Sequence, residues 1–453
     1  MQSIDPTTGT VLSTYAPIDG AQARDRARAA AEAQRAWSLT PIEARTAALR
    51  QVAEALRGEA PEHARRMALE MGKPLTEGLA EVEKCAWVCE HYAEHAAADL
   101  ADDPVEAGVS KSLVTYRPLG VVLAIMPWNF PLWQVFRFAA PTLAAGNAVL
   151  LKHAPNVQGC AQAIAAAWER TDLPADLFQN LPLAEADVAD LIASRDVAAV
   201  TLTGSTRAGR AVAAAAGAHL KPVVLELGGS DPYVVLADAD LASAAEQCAF
   251  ARLLNSGQSC IAAKRFLVVD AAYDAFRAAL LPLLREAVVG NPLDPETTIG
   301  PLAREDLRAT LHAQVRASVD AGAACTLGGT LPDGPGWFYP VTLLEDVAPG
   351  MPAYDQELFG PVATLIRAAD EADALRIAND TSYGLGAAVF TADAARGERI
   401  AREELEAGCA FVNGFVRSDP RLPFGGIKDS GMGRELGRAG IRAFVNVKTI
   451  WIA

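Results

Sequence analysis

Between residues 20 and 100 the apolar positions recur at helical spacing, and this stretch is expected to be a run of helices. Thr40-Pro41-Ile42-Glu43 reads as a capping box with proline at the first helical position. Behind it Ala47, Leu49, Val52, Ala55 and Leu56 suggest one apolar face. From about residue 112 the texture changes. Short apolar runs alternate with helical segments: Val121 to Ile125, Ala148 to Leu151, Ala198 to Leu202, Val223 to Leu225 and Val234 to Leu236. The same texture resumes at Phe266 to Val269 and at Ala410 to Val412. Alternation of this kind predicts an α/β protein with parallel sheets and helices on both faces. The last segment, Phe444 to Ile452, alternates apolar and polar residues as an exposed edge strand does. Such an edge usually pairs with another subunit, so a homodimer or homotetramer is expected.

A length of 453 residues exceeds one compact core and suits two or three domains. The chain is 51% hydrophobic and 21% charged, an ordinary soluble composition. A net charge of −15 argues against nucleic acid or an anionic membrane as partner. It does not argue against a small anionic substrate, because a local pocket can oppose the global sign. The seven cysteines are odd in number and scattered, which fits reduced thiols in a cytoplasmic protein. Cys85 and Cys89 are four apart on an expected helix, but no neighbouring His or Cys completes a metal site, so none is expected. Neither a signal peptide nor a membrane-length apolar stretch is visible.

The candidate chemistry centres on Cys260, in Asn255-Ser256-Gly257-Gln258-Ser259-Cys260, and on Glu226, in Leu225-Glu226-Leu227-Gly228-Gly229. A cysteine in a glycine-punctuated loop and a carboxylate in an apolar strand end can supply a thiol nucleophile and a general base. Burial should raise the Glu226 pKa towards the range useful to a base. Asn129, in Met126-Pro127-Trp128-Asn129-Phe130-Pro131, follows an expected strand, where α/β sheets place ligands. Gly204-Ser205-Thr206-Arg207-Ala208-Gly209 follows a strand and opens a helix, a junction that can receive a pyrophosphate. Its spacing is not the G-x-G-x-x-G of dinucleotide folds, so by itself it is a weak signal.

These motifs, with Glu357-Leu358-Phe359-Gly360-Pro361, resemble the aldehyde dehydrogenase superfamily nearly end to end. The resemblance implies a Rossmann-like NAD(P)-binding domain (1–99 and 119–228), an α/β catalytic domain (229–425), and a small bridging sheet for oligomerisation (100–118 and 426–453). It implies that Cys260 is the nucleophile, that Glu226 activates the deacylating water, and that Asn129 donates to the oxyanion. NAD or NADP would be held by Pro127, Trp128, Lys152, Gly204, Ser205, Gly209, Leu227, Glu357 and Phe359. Many NAD-using relatives carry glutamate where this chain has Pro155, which leaves the choice of coenzyme open. His153 is read as a surface histidine, with a phosphate contact as the alternative.

Arg137 and Ser418 match the carboxylate-binding pair of the succinate-semialdehyde dehydrogenases, with Trp133 beside them on the substrate side. The competing reading of Arg137 is an internal ion pair. Ala262 stands where some relatives have a second, redox-active cysteine, so no such switch is expected. A CoA-acylating dehydrogenase and a non-catalytic structural member are the alternatives. Glu226 speaks against the first, and the intact Cys260, Glu226 and Asn129 against the second.

Overall fold

The computed structural model describes residues 1–453. A short hairpin (Gln2–Ile4 and Val11–Thr14) leads into four helices, Gly20–Trp37, Ile42–Gly58, Ala60–Met71 and Leu75–Asp99. The capping box belongs to the first of them. The Asp19 side chain accepts from the Gln22 N–H, and the Gln22 side chain accepts from the Asp19 N–H. The box expected at Thr40 does not form. Pro41 takes the N-cap position without a side-chain bond, and the Thr40 hydroxyl donates back to the Ala36 carbonyl of the preceding helix. The buried face of Ile42–Gly58 is centred on Leu49, Val52, Ala53 and Leu56, with Ala47 and Ala55 at its margins.

Each apolar run named above falls in a strand, with Leu236 just past the end of Asp231–Val235 and Phe444 just before Val445–Ile452. Six strands form one sheet in the order 431–432, 223–226, 197–203, 121–126, 148–153, 178–180. All are parallel except 431–432, which pairs antiparallel with Leu225 and Glu226. The chain starts this sheet at its middle strand, runs to one edge, then returns to the other side. The loops at the carboxyl ends of 121–126 and 197–203 therefore diverge and open a crevice between them, the usual ligand position in such sheets. One of those loops carries Pro127, Trp128 and Asn129; the other carries Gly204 and Ser205.

A second sheet has seven strands in the order 324–327, 342–345, 362–368, 263–269, 231–235, 386–390, 409–412, parallel but for 324–327. The strand Val445–Ile452 pairs along its whole length with Lys111–Pro118 and forms one edge of a three-stranded sheet completed by Asp103–Pro104. Two large hydrophobic cores result. One joins the N-terminal helices to the six-stranded sheet, and the other surrounds the seven-stranded sheet. Ile261 packs against both, which sets the neighbouring Cys260 at the seam. No helix is long and apolar enough to cross a membrane.

Candidate active site

The segment before Cys260 has an unusual backbone. Asn255, Ser256 and Gly257 are consecutively left-handed, with φ of 57°, 55° and 72°. For the two non-glycine residues this conformation costs roughly 1–2 kcal/mol each. Contacts from several directions hold it. The Asn255 N–H donates to Glu77 Oε2 at 2.8 Å, and Asn255 Nδ2 donates to the carbonyls of Asn129 (2.7 Å) and Gln258 (3.0 Å). Ser256 Oγ accepts from the Gly300 N–H at 2.9 Å, and Arg252 donates to the Gly257 carbonyl at 2.6 Å. Gly257 is needed on steric grounds as well, because a Cβ there would stand 2.3 Å from the carbonyl of Gly360. The loop bearing Cys260 thus rests on the Glu-Leu-Phe-Gly-Pro segment.

Lys264, buried one strand turn further on, donates to the carbonyls of Ser259 (2.9 Å) and Cys260 (2.8 Å) and lies 3.5 Å from Glu357. Asn129 is buried, and its Nδ2 donates to the Gln258 carbonyl at 3.0 Å, which ties it to the cysteine loop. Burial pushes the Cys260 thiol up to about 12, against the opposing pull of Lys264 and Arg137. A neutral thiol is therefore the resting form at pH 7, and reaction requires removal of its proton.

Cys260 lines a cavity of about 480 Å³ together with Trp133, Arg137 and Ser418. Asn129 and Glu226 stand outside that lining. Glu226 ends the strand Val223–Glu226, is 2% exposed, and has no hydrogen-bond partner on either carboxylate oxygen. Burial holds its pKa well above the carboxylate range, and the charge of Glu435 adds to the shift, opposed by Arg137 and Arg434. Gly425, at φ 152°, makes room for it; a Cβ there would stand 2.6 Å from Glu226 Oε1.

Arg137 is engaged within the protein as well as facing the cavity. Its Nε forms an ion pair with Glu435, and its Nη2 donates to Thr203 Oγ1 at 3.3 Å. The guanidinium also faces the Phe424 ring at 5.0 Å. The internal ion pair weighed as an alternative is therefore present, although Arg137 still lines the cavity.

On the other side of the cysteine loop, Trp128 and Phe359 meet edge to face with ring centroids 5.7 Å apart. Glu357 accepts from the Gly229 N–H at 3.1 Å, and burial raises its pKa against the pull of Lys264. Pro127 is half-buried beside them, and the Leu227 N–H donates to the Ser430 carbonyl. Ser205 caps the helix Thr206–Ala218 by accepting from the Ala208 N–H at 3.3 Å. Gly209 sits so close to Leu227 that a Cβ would come within 2.5 Å of its side chain, whereas Gly204 is open, with no atom nearer than 3.6 Å. Lys152 is the penultimate residue of the strand Ala148–His153, and burial lowers its pKa. His153 is neither at the surface nor a phosphate contact. It is fully buried, its Nε2 lies 2.8 Å from the Pro131 carbonyl, and burial pushes it down to about 4.

Lys84, Glu435, Lys264 and Glu77 lie outside the motifs named in the sequence, and Asn255 was named only as part of the cysteine segment. Lys84 and Glu77 leave a trace in the sequence, since with Glu81 they recur at helical spacing on one face of Leu75–Asp99. No cluster of three or more His, Cys, Asp or Glu could hold a metal ion.

Known proteins resemble this chain over its whole length. The aldehyde dehydrogenase family model matches residues 1–450. A probable NADP(+) succinate-semialdehyde dehydrogenase of Synechocystis sp. is 47% identical over 451 residues, spanning 100% of this chain and 99% of its own. The NAD(P)+ succinate semialdehyde dehydrogenase of Escherichia coli K12 is 45% identical over 450 residues, spanning 99% and 97%. The crystal structure of succinic semialdehyde dehydrogenase from Streptococcus pyogenes with NADP+ superposes with a TM-score of 0.97 at 37% identity, over 100% of this chain and 99% of that one. With the family model matching nearly the whole length and full-length relatives at 45% and 47% identity, the chain belongs to the aldehyde dehydrogenase family.

Proposed function

We propose that this enzyme oxidises succinate semialdehyde, or a similarly short aldehyde ending in a carboxylate, to the corresponding acid with NAD or NADP. The observation that carries the reading is that Cys260 shares one cavity with Trp133, Arg137 and Ser418, a nucleophile beside donors suited to an anion. The names of the relatives point the same way.

The donor set along the crevice fits a dinucleotide. A capped helix N-terminus, an open glycine at 204, the Lys152 ammonium and the Glu357 carboxylate offer groups for phosphate, ribose hydroxyls and nicotinamide. Pro127, Trp128, Gly204, Ser205, Gly209, Leu227, Lys152, Glu357 and Phe359 would hold it. When bound, the coenzyme accepts the hydride that leaves the former aldehyde carbon.

The chain's own residues do the rest. Cys260, once deprotonated, adds to the aldehyde to form a thiohemiacetal. The amide of Asn129 and the Cys260 N–H stabilise the oxyanion; one such donor contributes about 2.7–4 kcal/mol to the barrier. Glu226, poised by burial as a base of raised pKa, activates the water that hydrolyses the thioester. Arg137, Ser418 and Trp133 receive the far end of the substrate. Two separate hydrophobic cores support the division into a coenzyme part and a catalytic part. The exposed apolar residues Val447, Trp451 and Ile452 on the edge strand support its use as a contact between subunits.

The test is a comparison of succinate semialdehyde with butanal, which has the same carbon count and no carboxylate, followed by absorbance of the reduced nicotinamide. A kcat/KM for succinate semialdehyde at least about tenfold above that for butanal is expected from one charge-assisted contact. Equal values would overturn the substrate class and leave aldehyde oxidation in place.

A further inference from the structure

We propose that Lys84 is the residue whose positive charge selects a carboxylate-bearing aldehyde in the cavity beside Cys260. The inference rests on the proposed substrate class and names the group that enforces it.

Charge around the cavity is unevenly matched. The ionisable residues lining the cavity, apart from Cys260 itself, are Glu77, Glu81, Lys84, Arg137, Arg417, Asp419 and Arg421. Most are matched within the protein. Glu81 is paired with Lys73 at 2.5 Å and accepts from the N–H groups of Leu132 and Trp133, both at 2.9 Å. Glu77 has no cation partner but accepts from the Asn255 N–H, and burial pushes it up to about 7, which weakens its charge. Arg137 is met by Glu435. Asp419 takes a two-pronged contact from Arg421, at 2.8 and 2.6 Å. Two cations remain without a carboxylate, and they differ in place. Arg417 is exposed and lies against the Phe415 ring at 5.4 Å. Lys84 reaches inward. Its Nζ donates to Ser418 Oγ at 2.8 Å and stands 4.3 Å from the centre of the Trp133 ring.

An ammonium with one hydroxyl and one aromatic face around it still has N–H groups to offer. Ser418 and Trp133, expected on sequence grounds to face the substrate, are the side chains that Lys84 touches. Lys84 therefore supplies net charge at the place where Arg137, already neutralised, supplies hydrogen bonds.

Position also makes the charge titratable. Burial and the nearby Arg137 bring Lys84 down to about 8, while Cys85 and Glu81 on its own helix and Asp419 from the facing loop pull the other way. The selecting charge should fade as pH rises through that value.

The experiment measures kcat and KM for succinate semialdehyde and butanal in wild type, Lys84→Met, Lys84→Gln, Lys84→Arg and Arg417→Met, from pH 6.5 to 9.5. Expected is a roughly ten- to hundredfold fall in the succinate semialdehyde to butanal ratio of kcat/KM in Lys84→Met, carried by KM. Lys84→Gln serves the same reading should the methionine variant fail to fold. In Lys84→Arg the ratio should be partly kept, and the rise of KM with alkaline pH expected of wild type should vanish. A ratio unchanged in both neutral variants, or a loss found in Arg417→Met instead, would overturn the assignment. Failure of the substrate class itself looks different: wild type would then show no preference for the carboxylate to lose.

Discussion

Arg137 and Glu435 form an ion pair in the interior, with side chains only 2% and 3% exposed. Glu226 shares their surroundings, so one guanidinium faces two carboxylates whose pKa values burial raises. Removing one partner of a buried pair leaves an uncompensated charge and typically costs about 3–5 kcal/mol.

Arg137→Ala is therefore expected to lower kcat/KM on butanal as well as on succinate semialdehyde, and to lower Tm. Adding Glu435→Gln should recover much of the Tm. Steady-state kinetics on both aldehydes with thermal melts check this. An Arg137→Ala enzyme with wild-type Tm and a loss confined to succinate semialdehyde would show that the ion pair is dispensable.

Cys260→Ala should abolish dehydrogenation, to below roughly a thousandth of wild type, while coenzyme still binds. The raised thiol adds a second readout. Below a pKa of about 12 the thiolate fraction grows tenfold per pH unit, so alkylation of Cys260 without coenzyme should accelerate steadily from pH 7 to 10. A plateau reached near pH 8 would mean that the thiol is activated in the resting protein.

Glu226→Gln should slow thioester hydrolysis more than hydride transfer, giving a burst of reduced coenzyme before a slow steady state. The sign of the pH effect follows from burial. A carboxylate held well above its ordinary pKa gains its base form only as pH rises, so steady turnover in wild type should climb on the alkaline side. Stopped-flow absorbance of the variant decides between roles. If the burst vanishes with the steady rate, Glu226 serves to deprotonate Cys260.

Pro155 opens a short turn, Pro155–Val157, directly after the strand that carries Lys152. Pro155→Glu should shift the ratio of kcat/KM towards NAD, because a carboxylate accepts ribose hydroxyls and repels a 2′-phosphate. An unchanged ratio would place residue 155 away from the ribose.

The strands named from the sequence were legible because each is a short apolar run with helical texture beside it, whereas Thr342–Glu345, Val362–Ala368 and Gly386–Phe390 of the seven-stranded sheet were not picked out. The cysteine loop and the glycine-bearing helix start were legible only as members of an ordered set of motifs, since the spacing of Gly204 to Gly209 is a weak signal alone. Pairings across the fold were not. Lys84 and Ser418 are 334 positions apart, and nothing local to either marks the other. The same holds for Arg137 and Glu435, so a charge that looked free in the sequence is matched in the fold. His153 misled because a histidine beside a lysine at a strand end looks solvated, whereas the turn at Pro131 closes over it. At Thr40 the residue types of a capping box were present, but the hydroxyl found a nearer acceptor in the helix behind it.

The three left-handed residues before Cys260 bear on how portable this chemistry is. Their conformation is written not in the hexapeptide but in its hosts, the helix carrying Glu77, the turn at Asn129, the backbone at Gly300 and the carbonyl of Gly360. Grafted alone onto another scaffold, Asn255 to Cys260 would relax to right-handed or extended backbone and aim its sulfur elsewhere. What can be transplanted is the enclosure as a whole. Mutational drift in any of the four hosts should therefore register at the sulfur before it registers in the fold.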